Sequence, residues 1–193
     1  LEARHENGFM FAVSGCAFLP FQSRAPDSQC AKARELVIAL ASARKFDTYI
    51  LVGNFIDHTN RLSPELRQEQ IASFEEFVRA LLDTGAQVEF FEPRMSLTHD
   101  PKKGMVLGVP DRIRRLDFRD DNTAAWQDAA ARLAQNPRFR RFSQDQALLA
   151  AGCGSYDCFN GHATSGYPLY RDVNHLTDLG ASTVFNAFAT RPK

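Results

Sequence analysis

Apolar residues fall along this chain in two alternating patterns. Residues 8–13, GFMFAV, form a short unbroken apolar run of strand length, and residues 47–55, DTYILVGNF, contain another. Both read as buried parallel strands, apolar on each face. Between them Ala33, Leu36, Val37, Leu40 and Ala43 recur at helical spacing, predicting a helix over residues 29–44. Ser63-Pro64 opens a second helix with Ile71, Phe74, Val78, Leu81 and Leu82 as its apolar stripe, closed at Gly85. A strand follows over residues 87–91 and ends at Pro93. Residues 95–121 carry no clear period and read as an excursion at the rim of a site, with room for a short strand. Asn122 then opens a helix with Trp126, Ala129, Ala130 and Leu133 inward, stopped by Pro137. FRRFS (139–143) reads as a last short strand. Thr177 is placed to cap a final helix with Leu179, Val184, Phe185 and Phe188 on its apolar face. Strands alternating with helices predict a three-layer α/β/α sandwich around a parallel sheet.

In such sheets sites form beyond the C-terminal ends of the strands. Gly15, Gly53, Asn54 and the segment around Asp172 and His175 all fall on that edge in this order of elements. The Asp and the His are three positions apart, immediately ahead of the last helix, so both belong to one tight turn. A carboxylate there can hold the imidazole in one tautomer while the other ring nitrogen faces a nucleophile. A bare D-x-x-H is common, and a surface hydrogen bond at a helix entrance explains it equally well.

Composition narrows the field. The chain has 193 residues, enough for one domain with a sizeable core, and 44% of them are hydrophobic. Its 23 basic residues balance 23 acidic ones, so no global field recruits nucleic acid or an anionic membrane. The local cluster Arg138, Arg140 and Arg141 reads as a solvated strand face. His5, His58, His99 and His162 show no ligand spacing and read as surface residues. Four cysteines, Cys16, Cys30, Cys153 and Cys158, permit three pairings, of which proximity favours Cys16–Cys30 and Cys153–Cys158. A four-cysteine zinc site is the rival, but neither pair has the short spacing of zinc ribbons. No metal or cofactor is called for. Disulfides would imply an oxidising compartment. No apolar run approaches the roughly 20 residues that span a bilayer. The chain opens at Leu1 without an initiator Met, and LEARHENG reads as the end of a helix already under way, as in an excerpt.

The string LYRDVNHLTDLGA (169–181) closely resembles the last block of the SGNH/GDSL hydrolase superfamily. Within it, the string looks most like the extracytoplasmic SGNH domain fused to acyltransferase-3 membrane proteins. Ser14-Gly15-Cys16 through Pro20 stands where those domains carry an S-G-C-x-P-like string, and a second cysteine pair precedes the L-Y-x-D-x-x-H-L-[ST] block. The resemblance runs from about Leu1 to Ala189. It implies that Asp172 and His175 are the acid and base of a Ser-His-Asp triad and that Gly15 helps form the oxyanion hole. The block G-x-N-D is not reproduced: the strand ends Gly53-Asn54-Phe55, so an Asn54 donor would sit one place early, and a turn role suits it as well.

The G-D-S block with the nucleophile is absent, and in the family it precedes the S-G-C string by a strand end, a helix and a loop. The expectation is therefore one SGNH-type domain over residues 1–193, N-terminally truncated, lacking its first strand and its serine, and inactive alone. Ser14, Ser155 and Ser165 do not follow a strand as a nucleophile would, and Cys16 is better placed for a disulfide. By resemblance, the parent protein transfers acyl groups, typically acetyl, to cell-envelope glycans. Its partners would be a membrane-embedded acyltransferase-3 domain upstream in the same polypeptide and a glycan acceptor, with no nucleic acid, on the periplasmic side of the inner membrane. The alternatives are a free-standing SGNH esterase that removes acyl groups from sugars and a non-catalytic glycan-binding domain.

Overall fold

A computed structural model describes residues 29–52, 63–92, 94, 96–97, 113–114, 121–155, 159, 161–172 and 175–191. Strands β1 (Thr48–Val52), β2 (Gln87–Phe91) and β5 (Phe139–Phe142) form a three-stranded parallel sheet in the order β1-β2-β5. Val88 of β2 is aligned with Tyr49 on one side and Phe139 on the other. The expected strand over residues 8–13 lies outside the described residues. The chain order brings α1 (Gln29–Ser42) before β1, α2 (Pro64–Asp83) between β1 and β2, and α3 (Asp121–Leu133) before β5. Helices α4 (Gln144–Ala151) and α5 (Asp178–Thr190) follow. Within the rim excursion, β3 (Ser96–Leu97) and β4 (Ile113–Arg114) make a short antiparallel pair.

The alternation of side chains along β2 divides the core in two. Val88 and Phe90 join Leu51, Phe139 and the buried stripes of α1, α2 and α3. Phe91 joins Phe142 and residues of α4 and α5 on the opposite face. Helices thus cover both faces, giving the three layers expected from the alternation of elements. The α2 stripe is buried as its spacing predicts, with Phe77 and Gln70 added to it. Ser63 caps that helix by accepting from the Leu66 N–H, and Gly85 follows its end at φ +94°, a left-handed conformation suited to glycine. In the first cluster Phe74 packs edge-on to Trp126, with ring centroids 5.1 Å apart.

Three expectations are corrected. Strand β1 is not buried on both faces: Leu51 is buried but Ile50 and Val52 are exposed, because among the described residues no helix covers that side of β1. The apolar stripes of α1 and α5 are only partly those expected: Ala33 and Val37, and Val184 and Phe188, face inward, but other members do not. Ala33, Val37 and Ala41 are buried on α1 while Leu36 is exposed; Gly180 and Val184 are buried on α5 while Leu179 and Phe185 are exposed. Small residues are among those facing inward, Ala33 and Ala41 on α1 and Gly180 on α5, and there let each helix approach closely. Helix α4 is the third difference, since no such helix is expected between the FRRF strand and the cysteine turn. Ser143 caps it through the Gln146 N–H, and Leu148 and Leu149 bury it.

Candidate active site

Helix α5 fixes where the D-x-x-H turn lies. Phe188 packs against Phe91 at the C-terminal end of β2, with centroids 4.7 Å apart, and against Phe142 at the end of β5, 5.3 Å apart. Arg191, just beyond the helix, reaches back to Glu89 in the middle of β2, Nη2 to Oε2 2.6 Å. The helix therefore runs antiparallel to the strands. Its N-terminal end, with Asp172 and His175, stands beyond the C-terminal edge of the sheet, where the order of elements predicts a site.

The turn is closed by its own polar groups. Arg171 N–H donates to the His175 carbonyl at 2.7 Å, and Tyr170 and Leu176 form a bridge at the base of the loop. Asp172 Oδ1 accepts the His175 backbone N–H at 2.8 Å. The same carboxylate grips the ring, with Nδ1 3.0 Å from Oδ1 and 2.9 Å from Oδ2. A carboxylate at Nδ1 requires the proton there in the neutral ring, which leaves the lone pair on Nε2. Among the described residues the hydrogen bonds of His175 go to Asp172 and Arg171 alone, and its side chain is 64% exposed against 35% for Asp172. Nε2 is thus open to an incoming group. Arg171 Nε lies 4.0 Å from Asp172 Oδ2 and adds a weak positive field from a solvated position.

Leu169 and Tyr170, which lead into the turn, are fully buried, while Phe159 packs edge-on to Tyr170 with centroids 6.4 Å apart. An exposed His175 and a half-buried Asp172 therefore rest on a rigid base. Gly161, at φ +82°, carries no side chain where Leu97 packs; a Cβ there would stand 2.9 Å from Leu97 Cδ1. His162, expected at the surface, is half-buried and its backbone bridges Pro168. Gly15, Asn54, Cys16 and Cys158 lie outside the described residues. Neither Cys30 nor Cys153 is a free thiol. Among the described residues no group of three or more His, Cys, Asp or Glu side chains is disposed to hold a metal ion. Arg138, Arg140 and Arg141 are exposed as expected, and Arg141 pairs with Glu92 just beyond β2, Nε to Oε1 2.5 Å.

A depression of about 670 Å³ lies elsewhere, lined by the ends of α2 and α3 and by Arg79, Arg132 and Arg138. It opens at the N-terminal ends of the strands, away from His175. Two of its arginines have local work: Glu75 holds both Arg79 and Arg132, and the Glu75 hydrogen bond pushes the Arg132 guanidinium above its usual range. The positive charges also complement the carbonyl ends of two helices.

An α/β sandwich that presents a carboxylate-held imidazole beyond the C-terminal edge of a parallel sheet has the layout of a hydrolase- or acyltransferase-type domain. Comparison with protein families gives the particular assignment. The family described as "SGNH domain (fused to AT3 domains)" matches residues 1–190, and the chain belongs to it. A search of curated proteins found no significant match. No helix among the described residues is long and apolar enough to cross a membrane.

Proposed function

We propose that this chain supplies the acid and base of an acyl-transfer site that O-acylates, typically O-acetylates, a cell-envelope glycan. The observation that carries the reading is the two-point grip of Asp172 on His175 Nδ1, with no hydrogen bond to Nε2 among the described residues and the side chain exposed. In this scheme a serine Oγ attacks the acyl carbonyl as Nε2 takes its proton, and that proton passes to the departing group. A sugar hydroxyl then attacks the acyl-serine, gives its proton to Nε2, and the serine leaves as His175 returns the proton to it. Asp172 stabilises the imidazolium in each half. Backbone donors near Gly15, with Asn54 as a second candidate, would stabilise the oxyanion, a contribution of about 3 kcal/mol per donor.

The block order of the family supports a serine supplied ahead of Leu1, in a strand that would extend the sheet, so that residues 1–193 alone are inert. The family's description as fused to AT3 domains supports an acyltransferase-3 membrane domain in the same polypeptide, which would deliver the acyl group and hold this domain on the periplasmic side. We further assign disulfides Cys16–Cys30 and Cys153–Cys158.

The test uses the full-length protein, labelled acyl donor and envelope glycan. The wild type should move label to the glycan, and His175→Ala should abolish it. Label released only to water would favour an esterase. Near wild-type transfer by His175→Ala would overturn the acid–base reading and leave the turn as a helix-entry hydrogen bond.

A further inference from the structure

The loop carrying Asp172 and His175 is closed at a neck, and Thr177, the cap of α5, and Gly180 in its first turn form the clasp. Thr177 donates its backbone N–H to the Leu169 carbonyl at 3.0 Å and its hydroxyl to the Pro168 carbonyl at 2.9 Å. The same hydroxyl accepts the Gly180 N–H at 3.1 Å and so caps α5. Gly180 lies against the segment that Thr177 holds. A Cβ at this position would fall far inside contact distance of the Leu169 carbonyl oxygen, 3.0 Å from its carbon and 3.3 Å from Leu176 Cβ. The obstructing atoms are backbone, and Leu169 and Tyr170 are 0% and 1% exposed, so the segment cannot yield without disturbing the core. Gly180 is helical, so what it supplies is space and not a special backbone conformation. Alanine is the better helix former, and glycine in the first turn of α5 works against helix stability. The close approach it permits is the compensating gain.

We propose that Thr177 and Gly180 are positioning residues for the Asp172–His175 pair. They pin the entering segment, 168–170, to the first turn of the helix that follows His175, and thereby fix both ends of the loop. Asp172 is three residues beyond Leu169 and His175 two residues before Thr177, so a shift at the neck alters the carboxylate–imidazole geometry directly. The catalytic consequence rests on the acyl-transfer reading above; the geometric one does not.

The experiment compares Gly180→Ala, Thr177→Val and Thr177→Ser with Val184→Ala, a core truncation on the same helix. The His175 ring nitrogens and Nδ1 proton are followed by NMR with ¹⁵N-histidine, and kcat and KM are measured on the full-length protein. Gly180→Ala and Thr177→Val should shift or broaden the Nδ1 signal and lower kcat up to roughly a hundredfold, with little change in KM, as expected when reacting groups are displaced by about 1 Å. Thr177→Ser, which keeps the hydroxyl, should restore both readouts. Val184→Ala should lower the melting temperature without altering the His175 signals. Unchanged His175 signals in Thr177→Val, or equal perturbation by Val184→Ala, would overturn the clasp, and Thr177→Val keeps the test decisive should Gly180→Ala fail to fold. If the signals move while kcat stands, the clasp holds and the acid–base reading falls.

Discussion

Asp172 has two tasks in one carboxylate. It accepts the His175 backbone N–H, which shapes the turn, and it accepts from the ring, which selects the tautomer. These tasks can be separated by substitution. Asp172→Asn keeps an oxygen for the backbone N–H but favours the wrong imidazole tautomer, so the fold should survive with kcat reduced about 10⁴-fold. Asp172→Ala removes the turn hydrogen bond as well and should cost about 1 kcal/mol of stability besides. Denaturation curves and turnover of the two variants, measured side by side, distinguish the tasks. The pair itself was readable in the sequence because its partners are near neighbours in the chain. The need for glycine at position 180 was not, because the obstructing atom belongs to Leu169.

At the scale of elements, α2 and α5 are held to the sheet by different physics. Helix α2 is anchored by apolar burial on one continuous stripe, at the centre of which Phe77 is 0% exposed. Phe77→Ala should cost about 3–5 kcal/mol, read as a lower denaturant midpoint at unchanged slope. Helix α5 is latched at its end by the Arg191–Glu89 pair, and the guanidinium also lies 4.1 Å from the Phe188 ring centroid. The side chains of the two are 23% and 7% exposed, so the partners are not equivalent. Arg191→Ala strands a buried carboxylate and should cost about 3 kcal/mol, the lower end for breaking a buried pair. Glu89→Gln leaves an arginine whose side chain is already partly exposed and can turn to solvent, and should cost less. Equal losses in thermal unfolding would count against this asymmetry. Helix α4 escaped sequence reading because its eight residues are too few to display a helical period, although Ser143 and the Leu148-Leu149 pair mark its two ends.

For the whole molecule, the proposed disulfides bear on compartment and stability together. Each closes a short loop and should contribute about 2–3 kcal/mol, in the entropic account through the unfolded state. Peptide mapping without reduction should recover Cys16 linked to Cys30 and Cys153 linked to Cys158. Recovery of Cys30 linked to Cys153 instead would reject the local pairing. The proposed inertness of residues 1–193 also belongs to this scale. The chain alone should give no acyl-ester turnover and no labelling by a serine-directed phosphonate, whereas the full-length protein should give both. Turnover by the chain alone, lost in Ser14→Ala or Cys16→Ala, would mean that its nucleophile lies within these residues.

The sequence by itself determined the features that depend on local order. These are the alternation of strand and helix, the stripes of α2 and α3, the caps at Ser63 and Thr177, and the Asp-His turn at the head of the last helix. Each depends on residues within a turn or two of one another, where period and capping chemistry suffice. Tertiary structure decided which way α1 and α5 face: Ala33, Val37 and Ala41 turn inward on α1 and Gly180, Val184 and Phe188 on α5, while Leu36, Leu179 and Phe185 are exposed. It also decided that Glu89 in the central strand meets Arg191, and that the Leu169 carbonyl occupies the space a side chain at position 180 would need. The first of these contacts joins residues 102 positions apart. The second is only eleven positions apart but depends on two backbones meeting in the core, and neither period nor composition carries that information.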